Sequence, residues 1–270
     1  MRVTVCELPH EPEELDAAWA ALCEHTRSRR SQLVLLPEFA MLDPVWESDR
    51  FDSARWSAIE AAGRNQIQCL PALGVEHVVG TRPVCVDGRR LNQAYHWSAR
   101  DGIQPLRSKY FMPEQPGNWE ATWFHPGDPA FPCYRAGPAS FGVNICTELW
   151  ALETYGRYAA QGVDMVLSPR ATSAATAPAW LPLGVVAAIR SGAYCLSSNR
   201  VDRTGACGRG SWIIDPAGTV LALTSATMRC ATREIDLMVA TEAKGTYPRN
   251  ALRAWRQALS AAKGSTPCGS

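Results

Sequence analysis

Apolar positions along the chain repeat with two periods, and the changes between them mark where elements meet. Val3 and Val5 alternate with polar neighbours, the period of a half-buried strand. Over 11–29, Leu15, Ala18, Trp19 and Leu22 share one helical face. The unbroken run Leu33-Val34-Leu35-Leu36 predicts a strand covered on both faces, and it stops at Pro37-Glu38-Phe39. A weaker helical pattern spans 50–66. Strand patterns come next at 72–79, 82–86 and 91–97, with turns at Asp87-Gly88 and Asp101-Gly102. Pro113, Pro116, Pro126, Pro129, Pro132 and Pro138 make 109–138 a long irregular excursion, a kind of segment that usually carries function.

Phe141, Val143 and Ile145 then alternate as far as Cys146, after which Leu149, Leu152 and Tyr155 take helical spacing to about residue 160. Cys146 therefore stands where a strand hands over to a helix, a corner that exposes a side chain and favours a thiolate. A buried strand at 163–167 ends in Ser168-Pro169-Arg170. A loop or lid is predicted over 171–179, a helix over 183–191, and strands over 193–198, 212–214 and 220–224, with a turn at 215–218. Helices alternate with strands in both halves, and hairpins interrupt the alternation. That pattern predicts an α/β chain with mixed sheets covered by helices. No linker divides it, so 1–270 reads as one domain with a polar tail from 241.

Composition narrows the function. At 270 residues the chain can bury a large core, and 46% hydrophobic with 20% charged residues is ordinary for a globular protein. A formal charge of +1 gives no reason to expect nucleic acid or an anionic membrane. No apolar run reaches membrane-spanning length, and Met1 to Glu7 lacks the apolar core of a signal peptide. Ten scattered cysteines without a secretory signal predict reduced thiols and a cytoplasmic location. The five histidines lie far apart and no Cys-x-x-Cys occurs, so no metal site is expected. Dinucleotide, phosphate-loop and serine-elbow motifs are missing too, which makes cofactor-free chemistry the expectation. One internal echo is present. Leu33 to Phe39 and Met165 to Ala171 both run from an apolar strand through a proline to a charge, which would set Glu38 and Arg170 at equivalent strand ends.

Three stretches together resemble the nitrilase (carbon–nitrogen hydrolase) superfamily: Leu35 to Phe39 around Glu38, Arg107 to Phe111 around Lys109, and Asn144 to Glu153 around Cys146. They stand in the family's order. Glu120 to Phe131, with Phe124 and Pro126-Gly127-Asp128, is similar to the segment of the branch that hydrolyses N-carbamoyl amines. Segments 210–218 and 234–237 also fall where the family has them, so the likeness covers about 1–240. It implies a four-layer α-β-β-α sandwich with two mixed sheets, and hydrolysis of a non-peptide C–N bond through a cysteine thioester. Cys146 would be the nucleophile, Glu38 the base, Lys109 the oxyanion cation and Glu120 its orienting partner.

The backbone of Thr147 would donate to the oxyanion, while Trp119 and Trp150 would shape the pocket. Arg170, at a strand's carboxyl end, would either select an anionic substrate group or pair with Glu148 or Glu153. Family habit further implies a small-molecule substrate and a homodimer or larger assembly, with the tail at 241–270 a possible subunit contact. Thr147-Glu148 stands where nitrilases proper have Trp-Glu, which disfavours a nitrile; Arg170 and Arg190 also depart from common family residues. A nitrile hydrolase, or a binding protein without turnover, are the competing readings.

Overall fold

The computed structural model describes residues 1–203, 207–208 and 210–252. Strand β1 (Arg2–Leu8) lies at its centre. One edge of β1 pairs in parallel with β2 (Leu33–Leu35), which continues to β3 (His77–Val86), β4 (Arg89–Ser98) and β5 (Gly102–Ser108). Near its C-terminal end, Glu7 and Leu8 pair instead with β11 (Tyr194–Arg200), through Asn199 and Arg200. From β11 the second half-sheet runs through β10 (Met165–Arg170) and β9 (Ala139–Val143) to β8 (Tyr134–Ala136). Strands β12 (Trp212–Ile214) and β13 (Val220–Leu223) extend from β11, and β14 (Cys230–Glu234) closes against β1. Two mixed half-sheets thus hinge on one shared strand and fold face to face.

Strand alternation sorts the layers. Val3, Val5, Leu33, Leu35 and Val79 face Phe141, Val143, Met165, Leu167 and Leu196 between the half-sheets. Their neighbours Val34, Leu36 and Val78 point the other way, to Leu22 and Cys23 of α1 (Pro12–Arg29). Helix α2 (Ser53–Cys69) packs on β3, capped by Asp52, whose carboxylate accepts from the Arg55 N–H at 2.8 Å. On the far face lie α4 (Glu153–Gln161) and α5 (Ala177–Ser191). Gly142 of β9 lets Tyr158 of α4 lie directly on the sheet, where any Cβ would collide with the ring. The order is helix, sheet, sheet, helix, as the resemblance implied.

Several boundaries differ from the sequence expectation. The strands expected at 72–79 and 82–86 are one ten-residue strand, β3, because Pro83 sits within it without ending it. Helix α5 starts at Ala177, inside the expected lid. Pro178 falls in the first turn, where no N–H is needed, and Pro182 sacrifices one backbone bond within the helix. The excursion at 109–138 is mostly irregular. Besides β8 near its end, it holds a small hairpin, β6 (Glu114–Gln115) with β7 (Asn118–Trp119), and one helical turn, α3 (Glu120–Trp123). Helix α6 (Leu237–Ala243) opens the expected tail, of which 253–270 lie outside the described residues.

Candidate active site

The site gathers at the carboxyl ends of parallel strands, where the hydrogen-bonded ladder stops and side chains stand clear of it. Glu38 comes just after β2, Cys146 just after β9, and Arg170 ends β10. The Glu38 N–H donates to the Arg170 carbonyl at 3.2 Å, so the two echoing strand ends do meet. Phe39 next to it takes a left-handed φ of 46°. That backbone is held by the Thr81 hydroxyl, which accepts from the Phe39 N–H at 2.8 Å, and by Arg200, which donates to its carbonyl at 2.9 Å.

Lys109 is completely buried and lies between two carboxylates. Its ammonium donates to Glu38 Oε1 at 3.0 Å and to both oxygens of Glu120, at 2.7 and 2.6 Å. Burial works against its charge, but Glu120 and Glu38 outweigh burial and the Lys109 pKa rises, so the cation persists. Burial pushes the Glu120 carboxyl up; Lys109 pulls it down and Glu38 pushes it up again, with a net rise. Asn92 on β4 completes this group. Its side-chain amide donates to Glu38 Oε1 at 2.8 Å, while its backbone carbonyl accepts from the Lys109 backbone N–H at 2.8 Å. Asn92 did not stand out in the sequence, because a polar residue in an alternating strand looks like a solvated one.

Cys146 is at the corner the pattern predicted, but the element after it is not an α-helix. Cys146–Trp150 form one 3-10 turn, and α4 begins only at Glu153. Cys146 itself has a left-handed φ of 49°, unusual for a side chain with a Cβ and typical of strained functional corners. Burial pushes its pKa well up, Glu38 adds to that, and Lys109 only partly opposes them. The expected resting thiolate is therefore a resting thiol, which needs a base beside it.

Above Cys146 opens a cavity of about 830 Å³. Thr147 and Trp150 line it as expected, and the Trp150 ring meets that of Trp180 edge-on at 5.7 Å. Trp119 is not among the lining residues; its neighbour Asn118 is. Trp46, Glu47, Glu114, Cys207 and residues of 171–180 also line it.

Arg170 departs furthest from expectation. Alternation along β10 sends its side chain, with Ser168, toward the helix layer and away from the cavity. It is completely buried, donating to the Ser197 hydroxyl at 2.6 Å, the Thr172 hydroxyl at 2.9 Å and the Gly210 carbonyl. Its guanidinium stacks 4.0 Å from the Trp212 ring centre. It pairs with neither Glu148 nor Glu153; Glu148 is taken by Arg107. Replacing Arg170 with lysine is expected to lower the melting temperature, with a loss of about 2 kcal/mol or more, and to leave KM within about twofold. Melting curves beside steady-state kinetics test this, and a raised KM at unchanged stability would restore the substrate-contact role.

Glu38, Lys109 and Cys146 thus stand around one buried centre. The sequence model of the carbon-nitrogen hydrolase family matches residues 2–245. The chain belongs to that family. Solved members of similar fold include a carbon-nitrogen hydrolase from Helicobacter pylori, with a TM-score of 0.82 at 18% identity over 96% of this chain and 98% of the other. An amidase from Nesterenkonia sp. superposes with a TM-score of 0.73 at 19% identity, covering 94% of this chain and 96% of its own. A variant of that amidase carries the acetamide moiety of fluoroacetamide on its active-site cysteine. N-carbamoylputrescine amidase from Solanum tuberosum is 35% identical over 66 residues. That stretch is 24% of this chain and 22% of the relative, so the chain matches under a quarter of the curated relative's length.

Proposed function

We propose that the protein hydrolyses a small linear amide or an N-carbamoyl amine through a Cys146 thioester. The observation that carries this reading is the buried Lys109 held between Glu38 and Glu120, with all three charges acting on the Cys146 thiol. Glu38 removes the thiol proton as sulfur attacks the carbonyl carbon. The oxyanion that forms is stabilised by the Lys109 ammonium and by the Thr147 N–H, a first-turn amide without an intrahelical partner. Glu38 then gives its proton to the leaving nitrogen, the C–N bond breaks and the thioester remains. Water, deprotonated by Glu38 or Glu120, adds to the thioester and returns the thiol. Glu120 meanwhile keeps Lys109 aimed at the oxyanion.

The cavity walls favour some substrates. Among the described lining residues there is no lysine or arginine, while Glu47 and Glu114 contribute carboxylates and Trp46, Trp150 and Trp180 contribute indoles. A neutral or cationic side group suits these walls better than a carboxylate. The test is ammonia release from matched amides and carbamoyl amines with neutral, cationic and anionic tails. Neutral and cationic compounds are expected to turn over, anionic ones at least about tenfold more slowly, a difference of 1.4 kcal/mol. Glu47→Gln is expected to narrow the gap. Preference for the anionic series would refute the reading of the walls, and no ammonia from any compound would refute the reaction class.

A further inference from the structure

We propose that Glu148 is a positioning residue of the catalytic site, joining the Cys146 turn to the Lys109 strand end through Arg107. This rests on the reaction assigned above to Cys146 and Lys109. Glu148 is completely buried, and each carboxylate oxygen takes one backbone N–H and one guanidinium N–H. Oε2 accepts from the Ile145 N–H at 2.8 Å and from Arg107 Nη1. Oε1 accepts from the Tyr110 N–H at 2.7 Å and from Arg107 Nη2 at 2.8 Å. Ile145 precedes the nucleophile, and Arg107 and Tyr110 flank Lys109. One carboxylate therefore spans the two segments whose relative placement decides whether sulfur and ammonium meet the same carbonyl.

The rest of the geometry favours placement over stability alone. All four donors occupy the carboxylate, which leaves it none of its usual capacity for a substrate. Arg107 is itself fixed, donating to the Ala130 carbonyl at 3.2 Å and stacking 4.0 Å from the centre of the Phe131 ring. Buried ion pairs of this kind often add little net stability over an apolar pair of the same size. What they do impose is geometry, since the guanidinium fork accepts a carboxylate in one plane only. The left-handed backbone at Cys146 needs such a constraint, because a free chain would relax it.

The experiment compares Glu148→Gln, Arg107→Lys and the apolar pair Glu148→Leu with Arg107→Met in the full-length protein. Each is measured for melting temperature, for kcat and KM per folded molecule, and for the rate at which a neutral electrophile alkylates Cys146. Glu148→Gln is expected to lose roughly a hundredfold in kcat, the scale of a 1 Å misplacement, with KM within a few-fold. Its alkylation should slow as well, and Arg107→Lys should retain more activity than Glu148→Gln. The apolar pair is expected to recover melting temperature without recovering kcat. Wild-type kcat in the folded apolar pair, or a lowered melting temperature with normal kcat in Glu148→Gln, would overturn the proposal. Alkylation needs no knowledge of the substrate. Failure of the nucleophile assignment would therefore be seen separately, as a wild-type Cys146 that does not react.

Discussion

Alanine at position 146 is expected to abolish turnover while leaving the fold in place. The loss should be on the order of 10⁴-fold or more in kcat, the scale seen when a covalent nucleophile is removed. Stability should change by about 1 kcal/mol at most, because alanine keeps the Cβ and so inherits the same left-handed backbone without new strain. The informative control is Cys207, which also lines the cavity. Burial pushes the Cys207 thiol up to about 11, and Arg200 opposes that only in part. Cys207→Ser is therefore expected to retain most activity, as is Cys195→Ala in the core. Steady-state ammonia release and thermal melting of the three variants check this. Full activity in Cys146→Ala would remove the thioester mechanism altogether, whereas loss in Cys207→Ser would mean that the second thiol takes part.

Glu38 and Cys146 were legible in the sequence because each closes a run whose period identifies its element. Leu33 to Leu36 can only be a covered strand, so Pro37 and Glu38 must emerge at the strand's end. Lys109 and Glu120 were reachable only through motif order, since their segment has no period. Arg170 shows where that reasoning stops. Being at a strand end is a property of the run, but pointing into the cavity depends on a single residue of register, and alternation turned Arg170 to the other face. Asn92 and the Arg107–Glu148 fork were missed for a different reason. Their meaning lies in partners 41 or more positions away, and local pattern carries no sign of such pairs. The thiolate expectation failed on magnitude. The strand-to-helix corner favours a thiolate, whereas in the folded protein burial and Glu38 dominate the thiol.

That balance of charges makes Glu38→Gln the second decisive variant, and it should separate two properties that usually move together. Burial is the largest influence raising the Cys146 pKa, and the negative charge of Glu38 is the next. Glutamine keeps the shape and can still meet Lys109 and Asn92, but it carries no charge and cannot accept the thiol proton. Removing the charge lets Lys109 act on sulfur with less opposition, so the Cys146 pKa falls. The midpoint of the pH profile for alkylation by a neutral electrophile is therefore expected to move to lower pH than in the wild type. Turnover should move the opposite way, dropping by about 10²- to 10⁴-fold, because the proton has no acceptor on attack and the leaving nitrogen no donor. A thiol that is more acidic yet catalytically idle would assign Glu38 the proton-transfer role directly. If alkylation keeps its wild-type midpoint, Glu38 lies too far from the sulfur to serve as its base. If turnover survives, another group carries the proton, and Glu120, the other buried carboxylate on Lys109, is the one to replace next.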